Sequence, residues 1–175
     1  MASADHPNHI TADDLLAVTM LGVTVPPECA IWMLNDGSGG ITALLEQLPS
    51  DIDIWEADDH IFGVAEQLWH LLNQADWPDP GSRANGMGRT IKSKLLAAKR
   101  PRLLPVLDSV VCEALGERSD FWSAFRFALR TPESRLLTAV RAPGNDLSLL
   151  RAIDVVVWMA NRHPLPDDPP LPLPR

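Results

Sequence analysis

Residues 59–74 read Asp-His-Ile-Phe-Gly-Val-Ala-Glu-Gln-Leu-Trp-His-Leu-Leu-Asn-Gln. Asp59, Gly63, Glu66, Gln67, His70 and Asn73 recur on one side of a helical wheel, while Phe62, Ala65, Leu68, Trp69 and Leu72 fill the other. That is a period of about 3.6 with a single wet face, so the stretch predicts an amphipathic helix from Asp59 to Gln74.

Upstream, Thr11-Ala-Asp-Asp is a capping-box start with Asp14 in the place of the usual Glu, and it opens a short helix that stops near Gly22. Pro26 and Pro27 open a second helix, which Asn35-Asp36-Gly37 ends. A third runs from Ile41 to Leu48 and stops at Pro49, and the acidic stretch 50–58 is a loop or an extended segment. Downstream, a Pro- and Gly-rich loop covers Asp76 to Asn85. Helices are then expected at about 88–99, 105–116, 120–130, 133–141 and 146–162. The last is apolar almost all round from Leu147 to Met159, with an Asn145-Asp146 cap, and is expected to be the central buried helix.

The expected fold is therefore all-α, with eight or nine helices in one globular orthogonal bundle and a helix–hairpin–helix-like corner. One domain is expected over residues 1–162, made of an acidic helical half at 10–75 and a basic half at 84–162. The tail 163–175 has six prolines and is expected to be extended and disordered.

The 175 residues include 15 Lys plus Arg and 23 Asp plus Glu, a formal net charge of −8. The charges are segregated. Residues 1–82 hold fourteen acidic side chains and no Lys or Arg; residues 83–107 hold seven basic and no acidic ones; residues 108–175 balance to −1. With 46% hydrophobic residues, the chain is neither a disordered segment nor a collagen-like one. Two cysteines, Cys29 and Cys112, read as ordinary thiols rather than a disulfide scaffold. No basic region followed by an apolar run opens the chain, and no apolar run is long enough to cross a bilayer. A cytoplasmic location without membrane contact is expected.

The basic segment carries the sharpest functional expectation. Residues 86–96 read Gly-Met-Gly-Arg-Thr-Ile-Lys-Ser-Lys-Leu-Leu. A Gly-x-Gly turn before a helix lets backbone N–H groups approach an anion at the helix N-terminus. The expected nucleic-acid-binding residues are Gly86, Gly88, Arg89, Lys92, Lys94, Lys99, Arg100 and Arg102, with DNA or RNA phosphate as the partner of residues 86–102.

This hairpin, with the following Pro105-Val-Leu-Asp108-Ser-Val110, is similar to the helix–hairpin–helix of DNA repair glycosylases. The resemblance covers roughly residues 84–115. It implies a catalytic aspartate at Asp108, whereas Thr90 stands where some members carry a nucleophilic lysine and Leu107 is an extra residue. Residues 94–111, together with Leu150-Arg-Ala-Ile-Asp-Val-Val-Val-Trp-Met159, look like an uncharacterised family of actinobacterial proteins, a resemblance that implies no activity.

Other residues favour plain roles. Asp108 suits a helix cap better than catalysis, and Ser109 lacks a neighbouring histidine. Glu66 and His70 share a helix face without a second ligand pair. Asp51, Asp53, Glu56, Asp58 and Asp59 lack the glycine and closing glutamate of a calcium loop. No metal site or cofactor is expected. Trp69, Trp122 and Trp158 are expected in the core; Trp32, Trp55 and Trp77 lie at helix ends or in loops, and Trp77 could stack a base. The leading expectation is a non-catalytic nucleic-acid-binding helical domain. The alternatives are a protein–protein module, acting by self-association or partner recruitment, and a glycosylase-like enzyme.

Overall fold

In the computed structural model, which describes residues 6–74, 87–115, 121–131 and 147–162, each helix begins where a cap or a proline permits it. Thr11 accepts the Asp14 N–H at 3.3 Å while the Asp14 carboxylate accepts the Thr11 N–H at 2.8 Å, which starts α1 (Ala12–Thr19). Gly22, at φ +77°, lets the chain turn away after α1, and its N–H donates to Thr19 O. Pro27 is the first residue of α2 (Pro27–Leu34). The third helix, α3 (Ser38–Leu45), starts and ends three residues earlier than the apolar pattern indicated. Its start is set by Gly37, over which the Trp32 ring lies.

That close approach makes a test. A Cβ built on Gly37 would sit 2.6 Å from two Trp32 ring carbons, so the ring has to move. Gly37→Ala should cost about 1–3 kcal/mol through overpacking, read as a lower midpoint of thermal unfolding.

The amphipathic helix expected over residues 59–74 is α4 (Asp59–Gln74), with Asp58 accepting the Ile61 N–H at 2.9 Å at its start. Then come α5 (Arg89–Lys99), α6 (Ser109–Leu115), α7 (Phe121–Leu129) and α8 (Leu149–Arg162). Among the described residues there are eight helices and no strand. The helix expected at 133–141, Trp77, the Asn145-Asp146 cap and the Pro-rich tail lie outside them.

Pairs of helices pack α1 on α2 and α5, α3 on α2 and α4, and α6 on α8. The shared core runs through Val18, Met33, Ile41, Leu45, Leu68, Leu72 and Leu95, all fully buried. Each such side chain contributes about 1.5–3 kcal/mol by leaving water.

Two expectations change here. The segment 105–108 is not helical, because Ser93 pins it. The Ser93 hydroxyl accepts the Leu107 N–H at 2.9 Å, and the helix begins only after Asp108. The apolar α8 is not a buried central helix. Leu150 faces the core, Ile153 and Val157 are half-buried, and Val155, Val156 and Met159 are exposed, Val156 by 65%. Ser148 provides its cap, accepting the Arg151 N–H at 3.2 Å while donating to Pro101 O. The tryptophans also differ. Trp122 is buried, but Trp69, Trp32 and Trp55 are half-buried against the core, and Trp158 is exposed at its edge.

Candidate nucleic-acid interface

The basic segment 86–102 lies mostly on α5 and the turn after it, and its side chains are shared between surface and interior. Gly88 and Arg89 are exposed at the first turn of α5, and no acidic side chain occupies that turn. Gly86 lies outside the described residues. Lys94 is half-buried, and its ammonium donates to Leu21 O at 2.8 Å.

The other four are tied to the N-terminal half. Lys92 is buried, with its ammonium 4.8 Å from the centre of the Trp69 ring and donating to Asn73 Oδ1. Trp69 in turn meets Trp122 edge-on, with ring centres 5.4 Å apart and an angle of 86°. Among the described residues, the buried Trp122 Nε1 has no hydrogen-bond partner.

Lys99 is buried and forms an ion pair with Asp14, whose side chain is entirely enclosed. It also donates to His6 O at 3.1 Å. Burial pushes the Asp14 carboxyl up. The hydrogen bonds from Lys99 and from both the backbone and hydroxyl of Thr11 more than offset this, so the net shift is downward.

Arg100 is the most enclosed of all, 1% exposed. Its Nε donates to Leu48 O at 2.7 Å, its Nη1 to Pro7 O at 2.8 Å and Lys99 O at 2.9 Å, and its Nη2 to Asn8 Oδ1 at 2.7 Å and to Leu45 O. Among the described residues no carboxylate pairs with this charge. It sits at the C-terminal end of α3, where the carbonyls carry partial negative charge. Burial lowers its pKa from the usual guanidinium value.

Arg102 grips Asp53 in a two-pronged pair, Nε to Oδ1 at 2.9 Å and Nη2 to Oδ2 at 2.6 Å. Its hydrogen bond to Asp53 holds its pKa above the usual value. Beside it the Ile54 N–H donates to Arg102 O at 3.0 Å.

The same pattern extends to α7. Arg126 pairs with Asp59 at 2.6 Å and stacks 4.7 Å from the Phe62 ring centre, and Arg130 donates to Trp55 O and Ala57 O, both at 2.8 Å. The loop 48–58 is thus held by arginines from two separate parts of the later chain. Of the acidic run, Asp51, Glu56, Asp58 and Asp59 face solvent, with Asp58 also a cap and Asp59 paired with Arg126, and Asp53 is buried under Arg102. The signal that could have found this was the pairing of an arginine-free first half with an arginine-rich remainder.

A family model matches residues 1–161. The chain belongs to DUF6308, a family of unknown function. Neither a search of curated proteins nor one of solved structures finds a match. The family therefore agrees with the uncharacterised one expected from residues 94–111 and 150–159, and it brings no activity with it.

Asp108 of this DUF6308 chain is a cap. Its Oδ1 accepts the Val111 N–H at 2.9 Å and its backbone carbonyl the Cys112 N–H at 3.0 Å. The small apolar cleft nearby is lined by Pro105, Val106, Val111, Phe125, Leu150, Ile153 and Val157, and the carboxylate in its wall belongs to Asp154, not Asp108. Burial holds Asp154 above the usual carboxylate range, against the pull of its ion pair with Arg151 at 2.6 Å.

Glu66 and His70 are exposed, and no cluster of metal-ligating side chains occurs among the described residues. Cys29 and Cys112 are both buried. No helix among the described residues is long and apolar enough to cross a membrane.

Proposed function

We propose that the chain is a non-catalytic protein-interaction domain acting in the cytoplasm, rather than a phosphate-backbone binder built on residues 86–102. The observation that carries this reading is the internal use of the basic side chains. Lys92, Lys99 and Arg100 are buried, and Arg102 is committed to Asp53. Among residues 6–74 the Asp and Glu side chains that face solvent meet no Lys or Arg of that stretch, and exposed apolar side chains lie beside them, which suits a protein surface and repels nucleic acid.

The test is recovery of the chain from its own cells at physiological salt. A stoichiometric protein partner should survive nuclease treatment and rebind when both proteins are purified. Recovery of the chain alone, or of a partner that nuclease removes, would overturn the reading.

A second reading keeps phosphate binding at the start of α5, in the manner of a helix–hairpin–helix. Exposed Gly88 and Arg89, with no acid in that turn, favour it. Its footprint is small: with Arg89 and Lys94 as its contacts among the described residues, the log–log salt slope on duplex DNA should be about −2, against about −5 for the six basic residues of 86–102. Titration between 50 and 200 mM salt measures this, and a slope near the larger value would restore the broader interface.

A further inference from the structure

The outer sides of α1 and α2 carry large apolar side chains that the fold does not cover. Leu16 and Met20 are four residues apart on one side of α1 and are 64% and 85% exposed. Ile31, 62% exposed, and Leu34 are three apart on one side of α2. Both pairs lie opposite the residues that each helix buries, Asp14, Leu15 and Val18 on α1 and Cys29 and Met33 on α2. The two helices pack against each other. Spacings of three and four on adjacent short helices make ridges that accept the apolar stripe of a third helix. Met20, unbranched and flexible, adapts to whatever it meets.

Charge selects among occupants. Asp13, Glu28 and Asp36 are exposed on or just beyond the same two helices, and no Lys or Arg occurs before residue 83. Among the described residues, the cations that reach this side are engaged, Lys94 on Leu21 O and Lys99 on Asp14. An anionic lipid surface or a nucleic acid meets a repulsive field here. A second copy joined by a two-fold axis would set each acidic rim against itself.

Building on the interaction-domain reading, we infer that the α1–α2 face, through Leu16, Met20, Ile31 and Leu34, docks a basic amphipathic helix of another protein.

The probe is a fluorescein-labelled 18-residue peptide of Leu and Lys with Leu at helical spacing. It is compared with the same peptide carrying Glu for Lys, and with a Leu-scrambled version. Anisotropy is measured on the full chain, on Met20→Ser/Ile31→Ser and on Phe127→Ser. Phe127 is equally exposed but lies on α7, and circular dichroism checks each fold. The parent chain should bind the patterned Lys peptide only, several-fold more weakly at 300 than at 50 mM salt. The double variant should bind it at least tenfold more weakly, and Phe127→Ser should bind it unchanged.

Equal binding by the double variant, binding of the Glu peptide, or no binding by the parent overturns the docking face. So does a dimer of the parent that the double variant abolishes, which would assign the face to a second copy. The broader reading fails separately. If a reconstituted natural partner holds Met20→Ser/Ile31→Ser as tightly as the parent, the face is wrong and the interaction domain stands. If no partner is recovered, that reading falls as well.

Discussion

Arg100→Met should unfold the chain at temperatures where the parent is folded, with a loss of about 3–5 kcal/mol. The methionine has nearly the reach of the arginine stem but none of its donors. The carbonyl of Leu45 at the end of α3, those of Leu48 and Pro7 and the Asn8 side chain would lose their partner at once. A buried acceptor left unmatched costs about 1–3 kcal/mol, and several share one site. Arg100→Lys keeps the charge yet cannot reach four separate acceptors from one nitrogen, so it should recover only a minor part of the loss. Urea unfolding followed by far-ultraviolet circular dichroism measures both. An Arg100→Met chain within about 1 kcal/mol of the parent would show that these contacts matter little and would reopen Arg100 as a phosphate ligand.

The second large effect lies at the Lys99–Asp14 pair. Lys99→Met leaves an enclosed carboxylate without its cation, and removing one partner of a buried pair costs about 3–5 kcal/mol. Replacing both, as Lys99→Met with Asp14→Leu, should be milder than the single change. It still forfeits the capping box with Thr11, worth about 1 kcal/mol.

The pair also fixes the sign of the acid response. The folded Asp14 carboxyl lies below its ordinary value of 3.8, so its contribution is fully present above that value and is lost as the pH falls through the folded pKa. The parent should therefore lose stability on acidification below about pH 4 more steeply than Asp14→Asn, which has nothing to protonate. Parallel pH dependences in the two chains would refute the linkage.

Much of the architecture was legible because it rests on local rules. The Asp59–Gln74 helix declares itself by period, α2 by its two prolines, and α1 by Thr11 and Asp14. The short helix α3 was misplaced because its start depends on the Trp32 ring over Gly37, a contact that hydropathy does not encode. The exposure of α8 was missed for a related reason. A run such as Val155-Val156-Val157 says that a face is apolar and does not say which neighbours cover it.

The candidate site was less legible still. A count of seven basic residues cannot separate Arg89, which faces solvent, from Arg100, which is enclosed. Only the distant carbonyls of residues 7, 45 and 48 and the Asn8 side chain make that distinction. The motif marked where charge was concentrated, and the fold decided which way most of it pointed.

The reach of those bonds bears on how the chain is made. Arg100 and Lys99 join residues 93 positions apart, and Arg102 joins Asp53 across 49. During synthesis the Leu45 and Leu48 carbonyls leave the ribosome well before the Arg100 guanidinium that donates to them. Closing loops of that length must precede the contacts that reward them. The N-terminal half is therefore a fragment that waits. A nascent chain halted at residue 75 should remain protease-sensitive, and one halted well past residue 130 should resist.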